Sequence, residues 1–315
     1  MAIALVVVIT VLVVRPDGGG NGPSNAGGTG SDSEFASAND TGPVNIITED
    51  PTCDAWEKVG QEYADRLSAV AWGKRDASIP ATAWTPEQRA MYEATGQAMS
   101  KAADEAANLV KRTPHRAMRE LYGQFIAYVR LFVDDLSSYD ESANNLVVVT
   151  DSSANALSRM CSAIAYGSAS AVAPFIGDPS APSSTAPIDN PESPVRFLTS
   201  ANAVCSEWST EVDNVSEATK AWQNLDANIP AGDWNSEQKA VVDAVIPVML
   251  QNADTLENLG RQSGNPVLED FAVLAAQYRR AYVRALPTYA SRDNFLAQSA
   301  TYLVKLVTYA CKATS

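Results

Sequence analysis

The one histidine of the chain, His115, lies within a concentrated group of basic side chains: Lys111, Arg112, Arg116 and Arg119. The group surrounds a Thr-Pro pair, Thr113-Pro114, that predicts a helix start. Backbone N–H groups at a helix start already favour anions, so this patch could bind an anionic headgroup or an acidic partner. The alternative is a solvated helix start without a ligand. A lone histidine without a Gly-x-Ser-x-Gly motif does not support serine-type hydrolysis.

Adjacent carboxylates occur at positions 104–105, 134–135 and 269–270. Neighbouring residues on a helix point about 100° apart, so spacing alone does not bring two carboxylates into one acid–base site. We expect these pairs to lie on solvated helix faces. The chain also lacks a phosphate-binding loop, a His-Glu-x-x-His motif, a Gly-x-Gly-x-x-Gly motif and the Glu-x-x-His pairs of di-iron bundles. The sequence therefore predicts no catalytic residue, no metal and no cofactor.

An internal repeat is the strongest pattern in the chain. Residues 79–90, IPATAWTPEQRA, recur as residues 229–240, IPAGDWNSEQKA. So many identities in one register indicate a duplicated unit. We interpret the repeated tryptophans as core packing, with an aromatic ligand platform as the alternative. Further matching pairs are Trp56 and Trp208, Trp72 and Trp222, Tyr128 and Tyr278, Arg130 and Arg280, Tyr139 and Tyr289, and Cys161 and Cys311.

Each copy predicts four helices with an apolar stripe at three- and four-residue steps. In the first copy, Thr85 to Gln88 forms a capping box at the start of the second helix, and Thr113-Pro114 separates the second helix from the third. Pro247 lies inside the second helix of the second copy, where we expect a kink. The predicted fold class is all-α: two tandem homologous four-helix bundles, each closed by a disulfide, after an N-terminal apolar anchor and a flexible stalk.

The four cysteines allow three disulfide pairings. In an up-down-up-down bundle, the start of the first helix and the end of the fourth lie at the same end. The repeat therefore favours Cys53 with Cys161 and Cys205 with Cys311. Four buried free thiols are the alternative, and zinc is disfavoured because each bundle end offers two cysteines and no local histidine. Disulfides predict an oxidising compartment outside the cytoplasm.

The N-terminal region is apolar and then flexible in composition. Residues 2–14 form an almost unbroken apolar run, shorter than the roughly 20 residues that a membrane-spanning helix needs. We interpret residues 1–14 as the outer end of a longer membrane anchor, with an uncleaved export signal as the alternative. Residues 15–48 predict a disordered Gly/Ser stalk. The remaining predicted boundaries are bundle repeat 1 at 49–166, a Pro/Ser/Ala linker at 167–193 and bundle repeat 2 at 194–315.

This N-terminal order has a resemblance among known proteins. An apolar run ending in Val-Val-Arg-Pro-Asp, a Gly/Ser stalk and then a Cys-x-x-Trp helical domain resemble single-pass envelope proteins of mycobacteria and related actinobacteria. The resemblance covers mainly residues 1–56. It implies a membrane-anchored protein on the extracytoplasmic side of the cell envelope, and it implies no activity.

Charge and architecture together limit the functions to be considered. The net charge of −14 opposes nucleic-acid binding, which depends on Lys and Arg displacing counterions from phosphates. The anchor, the stalk and the paired units without catalytic motifs favour a non-enzymatic interaction or accessory module, bound to an envelope or membrane protein. The alternative is a carrier that binds a lipid or another hydrophobic ligand. An enzyme of unrecognised class is the third hypothesis.

Overall fold

The computed structural model describes residues 34–314. Within that range the chain contains α-helices, short 3-10 turns and no β-strand, which confirms the all-α class. We call α1 to α4 the first half and α6 to α10 the second half. The α-helices are α1 (Cys53–Ala69), α2 (Pro86–Val110), α3 (Arg116–Asp134), α4 (Asn144–Ala165), α5 (Ser168–Val172), α6 (Cys205–Ala218), α7 (Lys220–Gln223), α8 (Ser236–Gln262), α9 (Pro266–Ala285) and α10 (Asn294–Lys312).

Helices α2 and α8 begin with the same capping box. Thr85 Oγ1 accepts from the Gln88 N–H at 3.2 Å, and Gln88 Oε1 accepts from the Thr85 N–H at 2.9 Å. Asn235 and Gln238 make the same two bonds in α8, each at 2.9 Å. These bonds satisfy N–H groups that a helix start leaves free, so both helices begin where the repeated motif predicts. Helix α8 remains an α-helix through Pro247.

The loops before α2 and α8 are held by matching hydrogen bonds. Trp84 Nε1 donates to Ile79 O at 2.9 Å, and Trp234 Nε1 donates to Ile229 O at 3.0 Å. The two halves therefore share both the order of their helices and the contacts that fix the loops. A second matching pair is the Tyr139 hydroxyl, which donates to Ala77 O at 2.8 Å, and the Tyr289 hydroxyl, which donates to Ala227 O at 2.6 Å.

Both predicted disulfides are present. Cys53–Cys161 joins the start of α1 to the end of α4, with 5.3 Å between the Cα atoms. Cys205–Cys311 joins the start of α6 to the end of α10, with 5.7 Å between the Cα atoms. Each bond connects the first and last long helices of one half, which is the pairing that the repeat predicts. The described residues contain no free cysteine.

Helices α3 and α9 are buried on nearly every side. All residues from 116 to 129 and from 268 to 279 are buried. The sequence predicts a one-sided apolar stripe for the third helix, and the structure corrects that expectation. Segments outside the four-helix plan cover the remaining faces, and α3 also contacts α9. The polar residues of these two helices therefore lie inside the protein.

Residues 34–48 correct the predicted stalk. Val44 and Ile47 are buried in the core, and the Tyr278 hydroxyl donates to Ile47 O at 3.4 Å. The stretch Val-Asn-Ile-Ile at the end of the Gly/Ser-rich region has enough apolar surface to gain from burial, so this part packs on the helices. We call residues 34–48 the N-terminal strap.

The predicted anchor at 1–14 and the stalk residues 15–33 lie outside the described part of the chain. Among the helices between residues 34 and 314, none is long and apolar enough to span a membrane. The anchor therefore stays a prediction from the sequence.

Parts of the predicted linker at 167–193 contact the helices, while most of its residues are exposed or half-buried. Its beginning forms α5, which contacts α4, α9 and α10. Gln277 Nε2 donates to Gly177 O at 3.4 Å, and Arg261 Nη2 donates to Ser180 O at 3.0 Å. The halves share one continuous apolar core, in which α4 packs along α10. The linker thus contributes to the contact between the halves as well as to their connection.

Candidate functional site

The five predicted basic residues at the start of α3 do not form one exposed patch. Arg116 and Arg119 are buried, where we expected either a solvated helix start or an anion-binding surface. Acidic side chains and carbonyl groups from the strap and the second half compensate their burial, as a buried charge requires. The others are placed as follows: Lys111 pairs with Glu34, Arg112 is exposed, and His115 Nε2 lies 2.8 Å from Glu49 O.

Arg116 joins three parts of the chain. Its Nε donates to Asp270 Oδ2 at 2.5 Å and its Nη2 to Asp270 Oδ1 at 3.1 Å, a bidentate pair with the second half. Its Nη1 and Nη2 also donate to Asp40 O at 2.6 Å and Gly42 O at 3.1 Å in the strap. Burial alone would lower the pKa of Arg116, but the hydrogen bonds and charge of Asp270 outweigh it and raise the pKa. Arg116 therefore stays charged.

Glu120 lies beside this pair, at the position of α3 that matches Asp270 in α9. Burial raises the pKa of Glu120 well above its usual range, and the charge and hydrogen bond of Asp270 add to the shift, while Arg119 and Arg116 oppose it. Apart from the neighbouring carboxyl group of Asp270, no hydrogen-bond partner lies within reach of its two carboxylate oxygens. Burial and the neighbouring carboxylate therefore favour the protonated, uncharged form of Glu120.

The acidic pair at 269–270 was expected on a solvated helix face, and that expectation is wrong. Glu269 is 5% and Asp270 1% exposed, because α9 is covered on both sides. Arg261 Nη1 donates to Glu269 Oε1 at 3.0 Å. This geometry suits holding segments together, since both carboxyl groups are buried and each is paired with an arginine. We call Asp40, Arg116, Arg119, Glu120 and Asp270 the central ion cluster.

The repeated tryptophans pack against other side chains. The ring of Trp84 stacks on Tyr92 with 3.9 Å between centroids, and Arg75 lies 3.8 Å over the ring of Trp72. Trp56 is fully buried, and its Nε1 donates to Ser158 Oγ at 3.1 Å. These contacts fill the rings' faces and satisfy the buried donor, which agrees with core packing better than with an open aromatic cage.

An open groove lies along α2 in the first half. Gly96, Val133 and Leu136 form its apolar part, and it holds a volume of about 760 Å³. Its remaining lining is mostly charged or polar. We call this feature the α2 groove, and its other lining residues are Glu93, Gln97, Ser100, Lys101, Asp104, Glu105 and Asn108.

The matching surface of the second half is an apolar ridge. Three groove positions, 96, 97 and 100, correspond to Ile246, Pro247 and Leu250. Pro247 and Leu250 are exposed, and Leu250 retains 40% of its accessible surface. We call Ile246, Pro247 and Leu250 the α8 ridge. The two halves thus present different surfaces at equivalent positions of the same helix arrangement.

In the part of the chain from 34 to 314, no group of three or more His, Cys, Asp or Glu residues is placed to hold a metal ion. The buried carboxyl groups of the central ion cluster are engaged with arginines and with each other. The sequence expectation of no metal and no cofactor stays a prediction.

These features define a class: an all-helical protein of two matching disulfide-bonded halves, joined by a buried ion cluster. The family model for the Mycobacterial ESX-1 associated protein matches residues 35–315, and the chain belongs to that family. It is also 43% identical, over 313 residues, to an uncharacterized protein of Mycolicibacterium smegmatis (strain MKD8), covering 99% of this chain and 83% of the relative. No solved structure matches the chain.

Sequence reasoning missed the partners of the basic segment and both outer surfaces. Asp40 lies in a region that composition assigned to a stalk, and Asp270 was assigned to solvent. A comparison of the two copies could have found the surfaces, because Gly96 and Ile246 differ strongly in size at equivalent helix positions. The same comparison aligns Glu120 with Asp270 inside apolar helices, where unpaired carboxylates are costly.

Proposed function

We propose that this protein is a non-enzymatic accessory module of the ESX-1 secretion system, located outside the cytoplasm and tethered to the cell envelope. The observation that carries the proposal is the family match over residues 35–315, which includes nearly all of the described structure. A secretion-system accessory acts through contacts with other proteins. The rigid helical body with two outer surfaces of different character suits that role.

The disulfides support the extracytoplasmic location. Both pairs of cysteines are bonded, and such bonds persist in oxidising compartments while cytosolic thiols are kept reduced. The apolar run at 1–14 and the Gly/Ser-rich region after it would supply the tether. The resemblance to single-pass envelope proteins supports the same arrangement.

We further infer that the two halves derive from one ancestral four-helix unit. The repeated motif at 79–90 and 229–240 supports this, together with the matching capping boxes, loop hydrogen bonds and disulfides. A duplicated unit gives an accessory protein two related surfaces, each free to change. The difference between the α2 groove and the α8 ridge is a change of that kind.

Neither alternative function gains an observation of its own. A lipid carrier needs an apolar enclosure for an acyl chain, whereas the α2 groove is open and lined largely by charged and polar residues. In the central ion cluster the carboxyl groups of Glu120 and Asp270 are buried and offer no surface to a substrate. The enzyme hypothesis therefore rests on no described feature.

The location can be tested with a single introduced cysteine. Glu192→Cys places a thiol on an exposed part of the linker, and a membrane-impermeant maleimide should label it in intact mycobacterial cells. The wild-type chain is the matched control, because its four cysteines are paired. Labelling of Glu192→Cys only after lysis would contradict the extracytoplasmic location.

Deletion of residues 1–14 should release the chain from the membrane fraction.

The ESX-1 association needs a separate test in the same cells. Crosslinking of the full chain in intact envelopes should recover ESX-1 components, and deletion of the chain should lower ESX-1 secretion. Cells that lack the ESX-1 core are the control, and there the crosslinked partners should disappear. Unchanged secretion after deletion, together with no ESX-1 component among the crosslinked proteins, would refute the accessory role.

A further inference from the structure

A glycine keeps the α2 groove open. A Cβ atom at Gly96 would lie 3.5 Å from Leu136 Cδ2 and 3.7 Å from Val133 Cγ2, which is ordinary contact. A methyl group therefore fits there, but a larger side chain would occupy the groove. The second half has that larger side chain, since Ile246 is half-buried at the matching position. The groove is thus specific to the first half.

The edges of the α2 groove are acidic. Glu93, Asp104 and Glu105 line it, against one lysine. That lysine, Lys101, is already bound within the chain, because its Nζ donates to Glu62 at 2.7 Å and to Glu105 at 2.8 Å. A partner that enters the groove should therefore present apolar side chains with a basic edge.

The α8 ridge supplies the apolar side chains, and the second half carries one basic residue at a flanking position. Leu250 is 40% exposed, and Arg284 on α9, which directly follows the equivalent of the groove residue Val133, is exposed as well. The guanidinium of Arg284 lies 4.6 Å over the ring of Phe175, an aromatic side chain that is itself 63% exposed. In the first half, the residue that matches Arg284 is Asp134, which is exposed and directly follows Val133 of the groove. Acidic residues remain at the positions that match Glu93 and Asp104, which are Asp243 and Asp254, so the reversal of charge between the two surfaces lies at Asp134 and Arg284.

We propose that copies of this chain bind one another head to tail, with the α8 ridge of one copy in the α2 groove of the next. Groove against groove would bring two acidic edges together, and ridge against ridge would bring two copies of Arg284 together. The unlike pairing is the one that joins opposite charges. Because it uses two different surfaces, the contact does not close on itself and builds open chains rather than a symmetric dimer.

This inference names a second copy as a partner, and it does not depend on the ESX-1 association. Its test can therefore fail while the proposed function stands, and the reverse also holds. A different protein in the groove, or residues from the undescribed N-terminal region, are the competing occupants. Both predict that the purified chain remains monomeric.

The test uses the exchange of matching residues between the halves. Gly96→Ile places the second-half residue in the groove, and Leu250→Ser places the first-half residue on the ridge. Each new residue already occurs at the equivalent position of the matching helices, so both variants should fold. The mass of the full-length chain in mild detergent is measured by analytical ultracentrifugation from about 1 µM to about 100 µM, the range of weak protein contacts.

Wild-type chains should grow in mass with concentration beyond a dimer, and each variant should weaken association by roughly tenfold or more. An equal mixture of the two variants should form a dimer and stop there, because it contains one intact groove and one intact ridge. Ile188→Ser, an exposed apolar residue outside both surfaces, is the control and should associate like wild type. Circular dichroism checks that all variants are folded.

Three results would overturn the proposal. They are a wild-type chain that is monomeric at every concentration, variants that associate as strongly as wild type, and a mixture that forms no dimer. A charge exchange gives a second measurement. Asp134→Arg and Arg284→Asp should each weaken association, and together in one chain they should restore it, because the opposite charges meet again with their signs reversed.

Discussion

The first and second halves agree in the contacts that form their framework and differ on their outer surfaces. Capping boxes, tryptophan–carbonyl bonds and disulfides occur at the same places in both. The groove position Gly96 and the ridge position Ile246 show the opposite behaviour. The comparison teaches that the residues which close loops and helix ends are alike in the two halves, while equivalent surface positions differ in size and polarity.

A second difference lies where the halves meet. Helix α3 starts with Arg116, whereas α9 starts with Pro266 at the matching position. The side chain of Asn265 caps α9 by accepting from the N–H groups of Val267 and Leu268 at 3.1 and 3.0 Å. In the first half, Arg116 holds the strap and the second half. In the second half, Pro266 at the matching position begins a helix. The bond between the halves therefore joins two non-equivalent positions, since Arg116 matches Pro266 and its partner Asp270 matches Glu120.

The largest effect is expected from the disulfides, and it should be equal in the two halves. The bonds close loops with sequence separations of 108 and 106 residues. In the loop-entropy model each bond contributes about 4–5 kcal/mol to the free energy of unfolding. Urea denaturation should therefore show similar losses for Cys53→Ala/Cys161→Ala and for Cys205→Ala/Cys311→Ala. A difference above about 2 kcal/mol would show that the halves do not share one framework.

The next largest effect is expected at Arg116, which has no counterpart in the second half. Arg116→Met leaves Asp270 buried without its cation, which should lower the free energy of unfolding by about 3–5 kcal/mol. The second half offers no equivalent variant, because Pro266 stands there. Arg66→Met is the matched control, since Arg66 pairs with Glu62 on an exposed face and should contribute little. Equal urea midpoints for both variants would contradict a structural role for the central ion cluster.

The sequence predicted the framework better than the contacts between its parts. Disulfide pairing and the capping box at Thr85 follow from local motifs and from the rule that first and last bundle helices share an end. The strap could not be predicted, because Asp40 acts through Arg116, 76 residues away. Composition also assigned Glu269 and Asp270 to solvent, since no local signal reports that another segment covers a helix. The periodicity of apolar residues does not show which helix faces are covered by segments that are distant in the sequence.

A smaller effect concerns the pH dependence of stability. The pKa of Glu120 is raised in the folded protein by burial and by Asp270, so the folded state binds a proton that the unfolded state releases above its ordinary pKa. Stability should therefore fall as pH rises through the interval between the two pKa values. Glu120→Gln removes this titration and should be more stable than wild type by about 1–3 kcal/mol at pH 8, with a smaller difference near pH 5.

The matching residue Asp270 sharpens the pH experiment. Asp270 is paired with Arg116, so Asp270→Asn should lower stability at both pH values instead of raising it at pH 8. Chemical denaturation at pH 5 and pH 8 measures both variants. A pH-independent difference between Glu120→Gln and wild type would contradict the raised pKa of Glu120.

The smallest effect tests whether the framework contacts are truly equivalent. Thr85→Ala and Asn235→Ala each remove one capping box, and each should lower the free energy of unfolding by about 1 kcal/mol. The hydrogen bonds from the Gln88 and Gln238 N–H groups are 3.2 and 2.9 Å long, so the two losses should agree within about 0.5 kcal/mol. Thr255→Ala, at a position in the middle of α8, is the control. It should not destabilise the protein, because the Thr255 hydroxyl donates only to the Gln251 carbonyl one turn earlier in the same helix. If only one of the two substitutions lowered the free energy of unfolding, the repeated motif would stabilise only one of the two helices, although its sequence pattern is present in both.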